Sequence, residues 1–117
     1  MRRLPDERRR LVAAKARLDR LALYPRPVSL RGVRVLVWPS FFRVPRLGRY
    51  RGYALRRTIV VRSADASDDL LTHELCHVWQ GQHRPLAQLW AWLRYAYRVN
   101  PFEREARAAV ESTRSTS

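Results

Sequence analysis

Between Pro5 and about Tyr24 the apolar positions recur at helical spacing. Leu11, Leu18 and Leu21 form a stripe with Val12 and Ala14 beside it, and Arg8, Arg9, Lys15 and Asp19 lie off it. Pro5 suits a first helical position, and the PRP at residues 25–27 ends the run. The period then changes. VRVLVW, from Val33 to Trp38, is β-branched and nearly continuous, so it predicts a strand that Pro39 closes. Phe41 to Val44 reads as a second short piece of the same sheet. PRLGRYRGYALRR has two glycines and no helical period, and predicts a long basic hairpin or loop over 43–57. TIVVR, Thr58 to Arg62, is a second clear strand.

Ser63 to Ser67 is a polar connection into a helix that Asp65 or Ser67 can cap, with Asp68 and Asp69 where the macrodipole favours negative charge. Gly81 suits the position just past that helix, and Pro85 follows. A further helix, Leu86 to about Arg98, carries Leu89, Trp90, Trp92, Leu93, Tyr95 and Tyr97. Being apolar all round, it is expected to lie buried against the helix before it. Asn100-Pro101-Phe102-Glu103 opens a last helix whose apolar face is Phe102, Ala106, Ala109 and Val110. There is no repeat and no long linker. The pattern predicts one α+β domain over 1–117: an N-terminal helix (5–24), a small, mostly antiparallel sheet (33–62), a helical part (67–110) and a tail (111–117).

Composition adds little to the fold and more to the partners. An apolar share of 46% is enough for a modest core, and a single cysteine, Cys76, excludes an intrachain disulfide framework. The opening MRRLPDERRR has no apolar segment behind it, so no secretory signal is expected, and no run of about 18 apolar residues exists to cross a membrane. These features place the protein in the cytoplasm. Against 10 acidic residues stand 24 basic ones, all arginine but for Lys15. Such a field attracts nucleic acid, anionic lipid or an acidic protein, although a codon supply biased toward arginine gives the same count. Arg43, Arg46, Arg49, Arg51, Arg56 and Arg57 are interleaved with Tyr50 and Tyr53, the composition of a nucleic-acid surface as well as of a solvated hairpin. The aromatic helix after Pro85 also suits a membrane surface.

The chemistry lies in LLTHELCHVWQGQH, Leu70 to His83, which holds all three histidines of the chain. His73 and His77, at i and i+4 of a helix, project from one face and can meet at one ion. Glu74, beside the first, is placed to hydrogen-bond a water on that ion. This is HExxH: two zinc ligands and a general base. A catalytic zinc needs a third protein ligand. His83 has the spacing of HExxHxxGxxH, but Gln80 stands where that pattern turns on glycine, Gly81 comes one place late, and no methionine follows. The rival is a carboxylate of the last helix, where Glu103 and Glu105 flank the apolar face on opposite sides. Pattern alone does not separate them, and Asn100-x-x-Glu103 is also a capping box. Cys76 and Trp79 are expected in the core, Gln80 near a cleft mouth, and Tyr95 and Tyr97 either packed or donating to an oxyanion.

HELCHVWQ followed by YRVNPFEREA resembles small bacterial HExxH proteins of the gluzincin type, the minigluzincin-like domains, over Thr58 to about Val110. That resemblance implies a zincin-like fold, with a glutamate of a later helix as third zinc ligand in an E-x-x-A stretch, often followed by Asp. Glu103-Arg104-Glu105-Ala106 matches it and selects Glu103, with His83 or Glu105 in reserve. Arg107 stands in place of the usual Asp, so neither histidine has an expected carboxylate behind it; Glu105 and Asp69 are the candidates to replace it. The resemblance further implies that an edge strand, from Val33–Val44 or TIVVR, binds substrate by strand addition. The expected function is zinc-dependent hydrolysis of a peptide or protein substrate with Glu74 as general base. The alternative is a basic nucleic-acid-binding protein with a structural or inactive zinc site.

Overall fold

Two strands of nearly unbroken β-branched sequence form the middle of the sheet. In the computed structural model, β2 (Arg34–Val37) and β4 (Thr58–Val61) pair in parallel, Val35 opposite Ile59 and Val37 opposite Val61. All four of these side chains are buried and, being two apart in each strand, lie on one face of the sheet, toward the core. The structure describes residues 2–43, 52–94 and 100–114, apart from the side chains of Leu55, Trp92 and Leu93. Strand β1 (Arg2–Arg3) joins β2 antiparallel, and β3 (Gly52–Leu55) joins β4 antiparallel, which gives the order β1-β2-β4-β3. The sheet is therefore small and mixed, with two antiparallel pairings and one parallel. The architecture is α+β with four helices among the described residues.

Several expected boundaries move, each for a local reason. Helix α1 is Glu7–Asp19 rather than 5–24. Asp6 sits at φ 57 before it, and past its end the Asp19 carboxylate accepts the Val28 N–H while Ala22 turns at φ 49. Val12, placed on the apolar stripe, is 46% exposed, whereas Leu11, Ala14 and Leu18 are buried. Phe41–Val44 is not a strand. Pro39–Arg43 forms a 3-10 turn, because Pro39 has no N–H for a ladder and Phe41 N instead donates to Trp38 O; Val44 lies outside the described residues. The segment read as a basic loop contains β3, closed onto β4 by the two-residue turn Arg56–Arg57. The proposed tail is helix as far as Arg114, where Thr113 is buried and accepts a hydrogen bond from Arg17 at 3.1 Å.

Helix α2 (Asp68–His83) is the axis of the molecule and packs on α1, α3 (Pro85–Arg94), α4 (Pro101–Arg114) and β3. Ser67, not Asp65, caps it, accepting from Leu70 N at 3.0 Å. Asp69 fastens its first turn to α1 and α4 through Arg17 and Arg114, at 3.0 and 2.9 Å. Gly81 does not end the helix, which runs on to His83. A Cβ on Gly81 would stand 2.9 Å from Gln88 Oε1, so the missing side chain lets α3 approach. Leu71, Leu75, Cys76, Val78 and Trp79 fill the core, as expected for Cys76 and Trp79. Helix α3 departs from expectation: Leu86, Leu89 and Trp90 are 81%, 58% and 61% exposed. Apolar composition alone does not decide which helix is covered.

Candidate metal centre

The i, i+4 spacing on α2 brings the rings of His73 and His77 to 4.9 Å between centroids, edge to face. Helix α4 crosses them with Glu103. Its Oε1 lies 2.7 Å from His73 Nε2 and 2.8 Å from His77 Nε2. The three ligand atoms all fall within 4.8 Å of one another, the one such group of His, Cys, Asp or Glu among the described residues. Glu103 is almost wholly buried. Its carboxylate is not used in a capping box, because Asn100 caps α4 alone, Oδ1 accepting from Phe102 N at 2.9 Å. Burial pushes the Glu103 pKa up, but hydrogen bonds from both imidazoles outweigh it and hold it at about 2. Burial pushes His77 down, yet the Glu103 hydrogen bond and the neighbouring carboxylate charges leave it above its ordinary value.

What stands behind His77 is an amide, not a carboxylate. Gln80 Oε1 accepts from His77 Nδ1 at 2.8 Å. The amide cannot be reversed, because its Nε2 donates to the Phe102 carbonyl at 2.8 Å and to Glu105 Oε1 at 3.1 Å. Nδ1–H is thereby fixed on His77, so the proton that a metal would displace is the one its Nε2 donates to Glu103. Sequence reasoning placed Gln80 at a cleft mouth; it is fully buried. The signal was present: three residues after His77, it shares that ligand's face of the helix. Glu105 is neither a ligand nor a direct partner of a histidine. It accepts from Gln80 and from the Tyr24 hydroxyl. Burial and this bond raise the Tyr24 pKa, so the phenol stays a donor. Asp69 is occupied by its two arginines at the other end of α2.

His83 does not reach the cluster. As the last residue of α2 it stacks on Tyr24 (5.1 Å, 16°), and its Nδ1 lies 3.2 Å from Trp79 O. The HExxHxxGxxH arrangement is therefore absent. Cys76 is buried, and burial raises its pKa and keeps it a thiol packed in the core. Tyr95, Tyr97, Arg46, Arg49 and Arg51 lie outside the described residues.

Glu74, His77 and Glu103 open into a cleft of about 1100 Å³. Burial raises the Glu74 pKa above the ordinary carboxylate value, with His77 and His73 pulling the other way. Strand β3 forms the facing wall, and among the described residues its outer side pairs with no other strand; the edge on the cleft is thus β3, and neither β2 nor β4, both of which are central. Gly52 makes the approach possible, since a Cβ there would lie 3.2 Å from Val60 O and 3.4 Å from Glu74 Cγ. Arg26, Arg56 and Arg57 also line the cleft. Among known proteins, no family model, no curated protein and no solved structure matches this chain. No helix among the described residues is long and apolar enough to cross a membrane.

Proposed function

We propose that the protein is a zinc-dependent peptidase of zincin type. The observation that carries the reading is the meeting of His73 Nε2, His77 Nε2 and Glu103 Oε1 within 4.8 Å, in a cleft that also holds Glu74. Two imidazole nitrogens and one carboxylate oxygen make a three-ligand donor set of the catalytic kind, which leaves a position open. When bound, zinc supplies a water of near-neutral pKa and a positive charge for the carbonyl under attack.

The remaining work falls to this chain's own groups. Gln80 keeps the proton on His77 Nδ1, and Glu103 supplies negative charge that offsets the cation. The Glu74 carboxylate takes up the water's proton and returns it to the leaving nitrogen. Its raised pKa brings it nearer the working pH than an exposed glutamate would be. The outer side of β3, which no other described strand covers, offers N–H and C=O groups to an extended peptide, and Gly52 sets that strand against Glu74. The test pairs zinc analysis with hydrolysis of a quenched peptide library by wild type and Glu74→Gln. Zinc kept with cleavage lost supports the reading, and equal cleavage by both proteins refutes it. A competing reading rests on the formal charge of +14: a basic nucleic-acid-binding protein with a structural site. It predicts oligonucleotide binding that falls steeply with salt and ignores Glu74→Gln.

A further inference from the structure

Two arginines of the cleft, Arg56 and Arg57, stand together at one end of it. Gly52, at the start of β3, touches Glu74 and Leu70, while Arg56 and Arg57 form the turn at the strand's far end. Arg57 packs beside Gly32, its Nη1 3.3 Å from where a Cβ on that residue would stand. The same segment is pinned to the end of α2, because Gln82 Nε2 donates to Ser29 O (2.7 Å) and Ser29 N donates to Gln82 Oε1 (3.1 Å). Arg26 lies at the start of this segment, its carbonyl accepting from Trp79 Nε1 at 2.9 Å. Arg56 and Arg57 therefore border the end of the cleft away from Glu74, and Arg26 lines the same cleft.

None of the three has a carboxylate partner among the described residues. Among the described residues, the only carboxylates lining the cleft are Glu74 and Glu103, both at the metal end. Arg56 also occupies a backbone conformation that disfavours it, with φ 59 where glycine or asparagine would be less strained.

We infer that this end of the cleft selects peptide carboxylates, so that the substrate is an acidic peptide. This rests on the peptidase reading for what is cut, though not for what is bound. At about 3.3 Å per strand residue, Arg56 lies roughly 13 Å along β3 from Gly52. A peptide paired with β3 and centred on Glu74 thus brings a carboxylate to Arg56 and Arg57 about four residues from the bond being cut, and on one side of it only. That carboxylate is either a side chain or the C-terminus. A nucleic acid offers no strand for the outer side of β3 to pair with, which favours a peptide.

The test uses zinc-loaded, full-length Glu74→Gln and fluorescein-labelled decapeptides read by anisotropy. One amidated peptide carries a Glu pair four residues from its centre, a second carries Gln there, and a third carries Gln with a free C-terminus at that distance. The Glu peptide or the free-acid peptide is expected to bind about tenfold more tightly than the neutral one, from two partly exposed charge pairs. Which of them does so identifies the source of the carboxylate. The preference is expected to vanish in Arg56→Ser/Arg57→Ser and to weaken with salt. Equal binding of all three peptides overturns the inference, as does tighter binding of a ten-residue oligothymidine. The two readings fail separately. Wild type that binds the acidic peptide without cutting it leaves the inference standing and sinks the peptidase. Wild type that cuts all three equally does the reverse.

Discussion

The two ends of the cleft differ in how their charges are settled. At the metal end the ligand groups are held by one another: Glu103 meets His73 and His77, and His77 is backed by Gln80, which is held by Phe102 O and Glu105. At the far end Arg56 and Arg57 line the wall, with no carboxylate opposite them among the described residues. Buried groups must find partners within the fold, because an unpaired one costs about 1–3 kcal/mol or more. Exposed arginines carry no such penalty and can be left for a ligand. The first arrangement builds a site, and the second waits for something to enter it.

The largest expected effect lies at the metal end. Glu74→Gln should lower peptide hydrolysis by about 10²–10⁴-fold while zinc content stays that of wild type, checked by single-turnover assay and metal analysis. Gln80→Leu should weaken zinc binding by about 10–100-fold in a competition titration, because His77 loses the acceptor that fixes its ring. It should also leave the far end as selective as before, which separates the two regions.

Acid separates them again. Zinc must displace protons from its histidines, and His77 is raised above its ordinary imidazole value, so zinc affinity should begin to fall above that value as pH drops. Peptide binding at the arginines should stay flat from pH 7 down to about 5, where guanidinium and peptide carboxylates both keep their charge. Titrating both across this range checks the contrast. The smallest effect concerns Arg56→Gly. Relief of the positive φ and the added freedom of glycine in the unfolded chain roughly cancel, so stability should stay within about 1 kcal/mol of wild type by chemical denaturation.

How much of this could be read in advance depended on the range of the interaction. The helix carrying HExxH was legible, because its cap, its acidic first turn and the i, i+4 histidines are all local. The choice between Glu103 and Glu105 was not legible from pattern. The two stand on either side of one apolar face, and only the crossing of α4 over α2 assigns one to the histidines and the other to Gln80 and Tyr24. The E-x-x-A resemblance pointed to Glu103, and the geometry places Glu103 at the histidines. Strand β3 was hidden for a different reason. Its four residues lack the β-branched run that marked β2 and β4, and its pairing depends on a turn of two arginines. Exposure of α3 was also out of reach, since an apolar sequence does not say whether a neighbour covers it.

The most direct test of the account is the zinc content of the purified chain beside Glu103→Ala, Glu105→Ala and His83→Ala, with circular dichroism to show that each is folded. The account predicts stoichiometric zinc in wild type, its loss in Glu103→Ala, and its retention in the other two. A folded wild type that takes up no zinc would contradict it, as would zinc lost on replacing Glu105 or His83 but kept without Glu103.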